Sequence, residues 1–225
     1  TIKNITIDSR EGNILDSDQK KFKNIKNWRR SEVLKDFKFY VISLNMLAMP
    51  WIVTGIFIYQ SFIAESKFWG SYIIPQSFMI YSITSILTLI ASGFLVDRFT
   101  SRKLIPLMNL PLLCGLIVLY FFNISYSAYL FFGLMGVSNG LANVLGSSTW
   151  AEIYGVRYLG AIRALTTAFM VFSTAFGTAL FGLLIDNGYT IEQIALISIL
   201  YISLSLSFLL AIKGSVEPIN LTKKT

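Results

Sequence analysis

The chain has 225 residues, 54% hydrophobic and only 14% charged, with a mean hydropathy of +0.63 and a formal net charge of +7. A soluble domain usually carries about 25% charged residues, so this is the composition of a polytopic membrane protein. Histidine is absent and Cys114 is the single cysteine, which excludes internal disulfides, Cys/His metal sites and histidine-dependent intramembrane catalysis.

Residues Thr1–Asp36 form a polar segment with nine Lys/Arg and six Asp/Glu. Its basic core runs from Lys20-Lys21-Phe22-Lys23 to Trp28-Arg29-Arg30. The segment reads as a cytoplasmic linker beside anionic headgroups, either disordered or as an amphipathic surface helix. Ser31–Asp36 is placed as a short helix leading into the first span. With Thr1 in first position and no cleavable signal, the chain is expected to be a fragment entered through a loop.

Six apolar runs follow, at Phe39–Gln60, Tyr72–Val96, Leu104–Phe122, Tyr129–Ala151, Ala164–Ile185 and Ile194–Ile212. Each is near the roughly 20 residues that a helix needs to cross a bilayer. They are too long and too uniformly apolar for barrel strands, and lipid leaves helices as the remaining way to pair the backbone. The fold class is an all-α membrane protein with a six-helix bundle over 37–212, a linker over 1–36 and a tail over 213–225. Cys114 lies mid-span among leucines as a small apolar filler.

Orientation follows from the bases. Regions 1–38, 97–103, 152–163 and 213–225 fall on one side and hold eighteen of the nineteen Lys/Arg; Lys67 is alone on the other. Both ends of the chain are therefore expected in the cytoplasm. Clustering between spans, rather than along one face, argues against a nucleic-acid partner. Trp28, Trp69 and Trp150 fall near the expected interfaces.

The polar residues within the spans mark candidate cavity faces. In the fourth run Gly136, Asn139, Gly140, Asn143, Gly146, Ser147 and Trp150 recur at steps of three and four, on one helix face. Small residues there allow close helix packing, and an amide in hydrocarbon needs a partner or water, so Asn139 and Asn143 read as either glue or cavity lining. The fifth run repeats the pattern with Arg163, Thr167, Met170, Thr174 and Gly177. The second offers Ser77, Tyr81, Ser85, Thr88 and Ser92, and the first has Asn45 followed by a kink or break at Pro50-Trp51. The third and sixth runs look more lipid-facing. No Asp, Glu, Lys or Arg lies deep in a span, so no proton relay is visible, and Glu152 at a cytoplasmic end is the nearest titratable candidate.

The charged stretch between the second and third runs, Gly93-Phe94-Leu95-Val96-Asp97-Arg98-Phe99-Thr100-Ser101-Arg102-Lys103, reads as a short hinge. Asp97 at a helix end suits the N–H groups of a neighbouring helix N-terminus, and Arg98 and Arg102 suit Glu152 on the same side. Gly93, Asp97, Arg98, Arg102 and Lys103 resemble the loop signature that major facilitator superfamily transporters repeat after the second helix of each half. The family pattern usually has a glycine shortly after Asp-Arg and sets the basic pair one residue earlier; Thr100-Ser101 departs from it. A second resemblance runs from Trp150 through Glu152, Tyr154, Gly155, Arg157 and Gly160 to Arg163. It is similar to the loop between the tenth and eleventh helices of bacterial members, some related to monocarboxylate carriers. Gly177, Gly182 and Asp186 suit the eleventh helix.

The resemblance covers roughly 37–212 and implies helices seven to twelve of a two-half transporter in a bacterial inner membrane. It implies alternating access to a small-molecule substrate near the bilayer midplane, with a missing N-terminal six-helix half as partner and no cofactor. The first, second, fourth and fifth spans would face the cavity. Tentative substrate contacts are Asn45, Tyr81, Asn139, Asn143, Ser147, Thr167 and Thr174. The cytoplasmic gating residues would be Gly93, Asp97, Arg98, Arg102, Lys103, Glu152, Arg157, Gly160 and Arg163, with Gly155 and Gly160 permitting the turn around Arg157. A coupling proton is left open. The rival reading is a non-transporting scaffold, assembly factor or sensor with a sealed interior. An intramembrane enzyme lacks the side chains it would need.

Overall fold

The computed structural model describes residues 26–212. The rest of the expected linker (1–25) and the whole expected tail (213–225) lie outside the described residues. Among the described residues there are helices and no strands. A short helix α1 (Arg30–Val33) precedes α2 (Phe37–Ile58), α3 (Gln60–Ser66), α4 (Ile73–Phe99), α5 (Ser101–Met108), α6 (Leu110–Phe121), α7 (Ser125–Tyr154), α8 (Leu159–Asp186) and α9 (Ile191–Ile212). Six spans are long and apolar enough to cross a membrane: α2, α4, α5 with α6, α7, α8 and α9, counted below as the first to sixth.

The helices outrun the apolar sequences that announce them. The second span continues through Asp97, Arg98 and Phe99, so the expected hinge narrows to Thr100, where φ is +62°. Helical hydrogen bonding costs nothing extra in the polar boundary, and the charged side chains simply reach outward. Of the kink or break expected at Pro50-Trp51, the break is absent: the first span runs through Pro50 as one helix. The third span breaks instead, at Asn109, between Pro106 and Pro111. Proline removes a helical donor and clashes with the preceding turn, so two of them five residues apart interrupt the ladder.

Two helix contacts position the site: the second span on the fourth, the most extensive in the bundle, and the first on the fifth. Glycine makes both approaches. A Cβ on Gly136 would lie 2.2 Å from Thr84 Oγ1, and one on Gly140 would lie 2.7 Å from the Ser85 carbonyl oxygen. On the other pair, a Cβ on Gly177 would lie 2.2 Å from the Trp51 carbonyl oxygen. Small residues let backbones meet where lipid gives no hydrophobic drive. The third span packs against the fourth and sixth, and the sixth against the first.

Exposure is distributed differently from the sequence reading. The apolar window of the second span is only 6% buried and that of the fifth 17%, against 50% for the third. The third and sixth spans are thus not the barest. Trp69 and Trp150, expected near the interfaces, are 6% and 1% exposed and pack inside the bundle. Cys114, expected as filler, is exposed on the outside.

The last part of the linker is folded against the bundle. Trp28 N–H donates to the Tyr154 carbonyl at 3.0 Å, and Arg157 N–H donates to Asn27 Oδ1 at 3.1 Å. Val33 is fully buried with Phe39, Trp150, Tyr154 and Ile162. Asp36 caps the first span by accepting from Lys38 N–H at 3.1 Å, and takes the Tyr154 hydroxyl proton at 3.0 Å. Glu32 accepts from Arg29 N–H at 2.7 Å and pairs with Lys26 at 3.1 Å; these bonds hold its carboxyl below the usual range.

Candidate functional site

A cavity of about 480 Å³ opens where the fourth span stands apart from the closely packed first and fifth. From the first span come Ser43, Met46, Met49, Pro50, Thr54 and Phe57; from the fourth Asn139, Asn143, Gly146, Ser147 and Trp150; from the fifth Arg163, Thr166, Thr167, Phe169 and Met170. Met108 closes it from the third. The wall combines apolar and sulfur surface with a few amide and hydroxyl groups, the usual make-up of a small-molecule site.

Four of the seven expected contact residues meet here: Asn139, Asn143, Ser147 and Thr167. Asn139 donates to Ser85 Oγ at 2.8 Å, and Asn143 donates to the Asn139 carbonyl at 2.9 Å. With its amide nitrogen on that carbonyl, Asn143 has Oδ1 left to accept from a guest. Ser147 and Thr167 line the same space, although Ser147 returns its hydroxyl proton to the Val144 carbonyl at 3.1 Å.

The other three lie elsewhere. Asn45 is fully buried against Asn109, whose amide donates to the Asn45 carbonyl at 2.6 Å and to its Oδ1 at 3.1 Å. It joins the first span to the break in the third. Tyr81 packs edge-on to the lining residue Phe57 at 5.1 Å but does not itself line the cavity. Thr174 is half-buried, lies outside the cavity lining and bonds back to the Val171 carbonyl at 2.7 Å. The second span contributes no lining residue: Ser77, Thr84 and Ser92 bond to carbonyls of their own helix, at Ile73, Ile80 and Leu89. The single stripe read on the fourth span therefore divides, with Gly136 and Gly140 serving the second span and the residues after them the cavity.

Reading from polar spacing missed Ser43, Met46, Met49 and Met108. Ser43 is 7% exposed and its hydroxyl has no partner among the described residues. Met46, Met49 and Met108 carry no polar signal, so periodicity alone assigns them to the core, whereas Met170 stands in the fifth-run stripe and does line the cavity.

At the basic end, Glu152 is the organising group. It accepts from Ser101 N–H at 2.9 Å and Arg102 N–H at 3.3 Å, and its Oε2 lies 3.5 Å from Arg102 Nε. A carboxylate on free N–H groups at a helix start is favoured by both hydrogen bonding and the helix dipole. Ser101 also donates to Ser148 at 2.7 Å. Of the expected pairings, Arg102 meets Glu152, whereas Arg98 instead lies over the Phe99 ring at 5.4 Å. Asp97 is exposed and has no hydrogen bond or ion pair among the described residues. Lys103 is exposed beside it. Gly93 and Gly160 face open space, where an added Cβ meets nothing within 4 Å. Gly155 makes the turn before Arg157 with φ +80°; Gly160 sits inside the fifth span, so the turn does not use it.

Arg157 lies over the Tyr158 ring at 5.5 Å and takes no part in the cavity. Arg163 lines it, and its guanidinium finds no partner among the described residues.

The opposite end is closed by a buried cation. Lys67 is fully buried and donates to Asn123 Oδ1 at 2.7 Å and to Glu192 Oε1 at 2.7 Å. One side chain thus ties the loop after the first span to the loop after the third and to the start of the sixth.

Comparison with family models matches residues 18–221 to the Major Facilitator Superfamily. No curated protein and no solved structure matches the chain.

Proposed function

Since the chain belongs to the Major Facilitator Superfamily, a family of membrane transporters and not of enzymes, we propose that this integral multi-pass protein moves a small solute by alternating access. The carrying observation is the 480 Å³ cavity between the first, fourth and fifth spans. A sealed bundle would have supported a scaffold or sensor instead. In this reading residues 37–212 form one half of the transporter, and a second six-helix bundle covers the open side of the cavity. The nearly bare second and fifth spans support that arrangement, because they offer two long apolar faces flanking it.

The basic end faces the cytoplasm, as the placing of eighteen of nineteen bases implies, in a bacterial inner membrane. There Asp97, Arg98, Lys103, Gly93 and Gly160 form a face for the other half, with Asp97 docking on a helix N-terminus. Glu152 and Arg102 hold the third span's start to the fourth and move with it during the cycle. If a proton is coupled, its carrier lies outside the lining formed by the described residues, which has no carboxylate.

Proteoliposomes of the complete protein, screened with radiolabelled small solutes, test this. Saturable uptake is expected for one chemical class, with KM raised by Asn143→Leu and uptake abolished by Ser147→Trp at unchanged membrane insertion. Uptake indifferent to both substitutions would remove the cavity from the pathway.

A further inference from the structure

We infer that the cavity takes a small organic anion, with Arg163 holding its charge and the methionine and aromatic wall holding its carbon skeleton. The inference rests on the reading of this cavity as the transport site, and goes beyond it by naming the substrate class.

Charge balance is the first support. Arg163 is the one ionisable side chain in the lining formed by the described residues, and no carboxylate answers it. Of the other arginines in the loop regions at this end, Arg102 is paired with Glu152, Arg98 lies over Phe99 and Arg157 over Tyr158. Arg163, one turn before Thr167 on the fifth span, is the one that borders the cavity. Arginine is also suited to the task, since its planar fork matches a carboxylate in bidentate fashion.

The apolar wall is the second support. Across the cavity, Met46, Met49, Phe169 and Trp150 present soft, polarisable surface to an apolar body. A cationic guest would meet an uncompensated guanidinium with no acid to offset it.

The test measures the cavity's charge preference directly. In the complete protein with Cys114→Ala, a Ser147→Cys thiol is reacted with sulfonatoethyl (anionic), trimethylammonioethyl (cationic) and methyl (neutral) methanethiosulfonates. Each rate is divided by that of a free thiol. The anion is expected to exceed the cation by about tenfold, because a low-dielectric cleft focuses the field of a lone charge. Arg163→Gln is expected to erase the preference, and Arg163→Lys to keep it. Equal corrected rates, or a preference unchanged in Arg163→Gln, would overturn the anion assignment while leaving the cavity reading intact. No reaction with even the neutral reagent would show that the cavity is sealed, and both readings would fall.

Discussion

The two ends of the bundle fasten themselves by different means. At the opposite end a fully buried Lys67 holds Asn123 and Glu192, so three connections are tied within this chain. At the basic end the internal fastening is Glu152 on the start of the third span, while Asp97 is exposed without a partner among the described residues. One end satisfies its charges inside the bundle; the other presents some of them outward. A moving half needs both, a rigid clamp to keep its helices together and a surface whose partners can be exchanged.

Breaking the clamp should have the largest effect. Glu192→Leu strands the buried Lys67 ammonium, and a lost buried ion partner costs about 3 kcal/mol. The expected readout is a fall of several degrees in thermal unfolding in detergent. A Tm unchanged from wild type would mean that Asn123 and solvent satisfy the lysine alone. Glu152→Ala at the basic end should cost less, about 1–2 kcal/mol, as for the loss of a helix cap. Measured side by side, the two variants should rank in that order.

Thr100→Gly acts in the opposite direction. A β-branched residue at φ +62° is strained, and glycine there should stabilise the protein by about 1 kcal/mol. Thr100 stands close to where the family loop usually has a glycine, so the departure seen in the sequence falls on the one non-helical residue of the hinge. Asp97→Asn is expected to leave stability within about 0.5 kcal/mol, as for an unpaired surface group, yet to impair transport. Wild-type uptake by that variant would remove the docking role.

The smallest effect concerns the strap that carries Glu32. Its carboxyl lies below the ordinary value of 4.5 because Arg29 N–H and Lys26 bind the charged form. A depressed carboxyl stabilises fully above its unfolded value and loses that contribution as pH falls through the folded one. Amide-exchange protection factors at Arg30–Val33, which correct for the intrinsic pH dependence of exchange, should therefore be flat from pH 7 to about 4.5 and fall below it. A fall already between pH 7 and 5 would point to another group.

The six spans were legible because apolar runs of about 20 residues admit one solution in lipid. Asn139, Asn143 and Ser147 were legible because steps of three and four put them on one face of the fourth span, and Thr167 because the same steps recur from Arg163 on the fifth. Asn45 was not. An amide in a span is served equally by a cavity or by a buried partner, and its partner Asn109 comes from 64 residues away at a break that Pro106 and Pro111 create. The second-span hydroxyls misled for a related reason, since Ser77, Thr84 and Ser92 bond to their own helix. Lys67 looked like a stray surface charge, because nothing in its local sequence shows that Asn123 and Glu192 will close over it. Ser43, Met46, Met49 and Met108 had no pattern to distinguish them from core. What spacing along one helix decides could be read; what depends on which helix stands opposite could not.

The most direct measurement is the sidedness of a Thr167→Cys thiol in the complete protein, in a Cys114→Ala background. A membrane-impermeant thiol reagent is applied from one face of sealed vesicles and then from the other. Alternating access requires reaction from both faces, faster from the basic face, with Lys67→Met raising the rate from the opposite one. Reaction from a single face, unaltered by Lys67→Met, would contradict it.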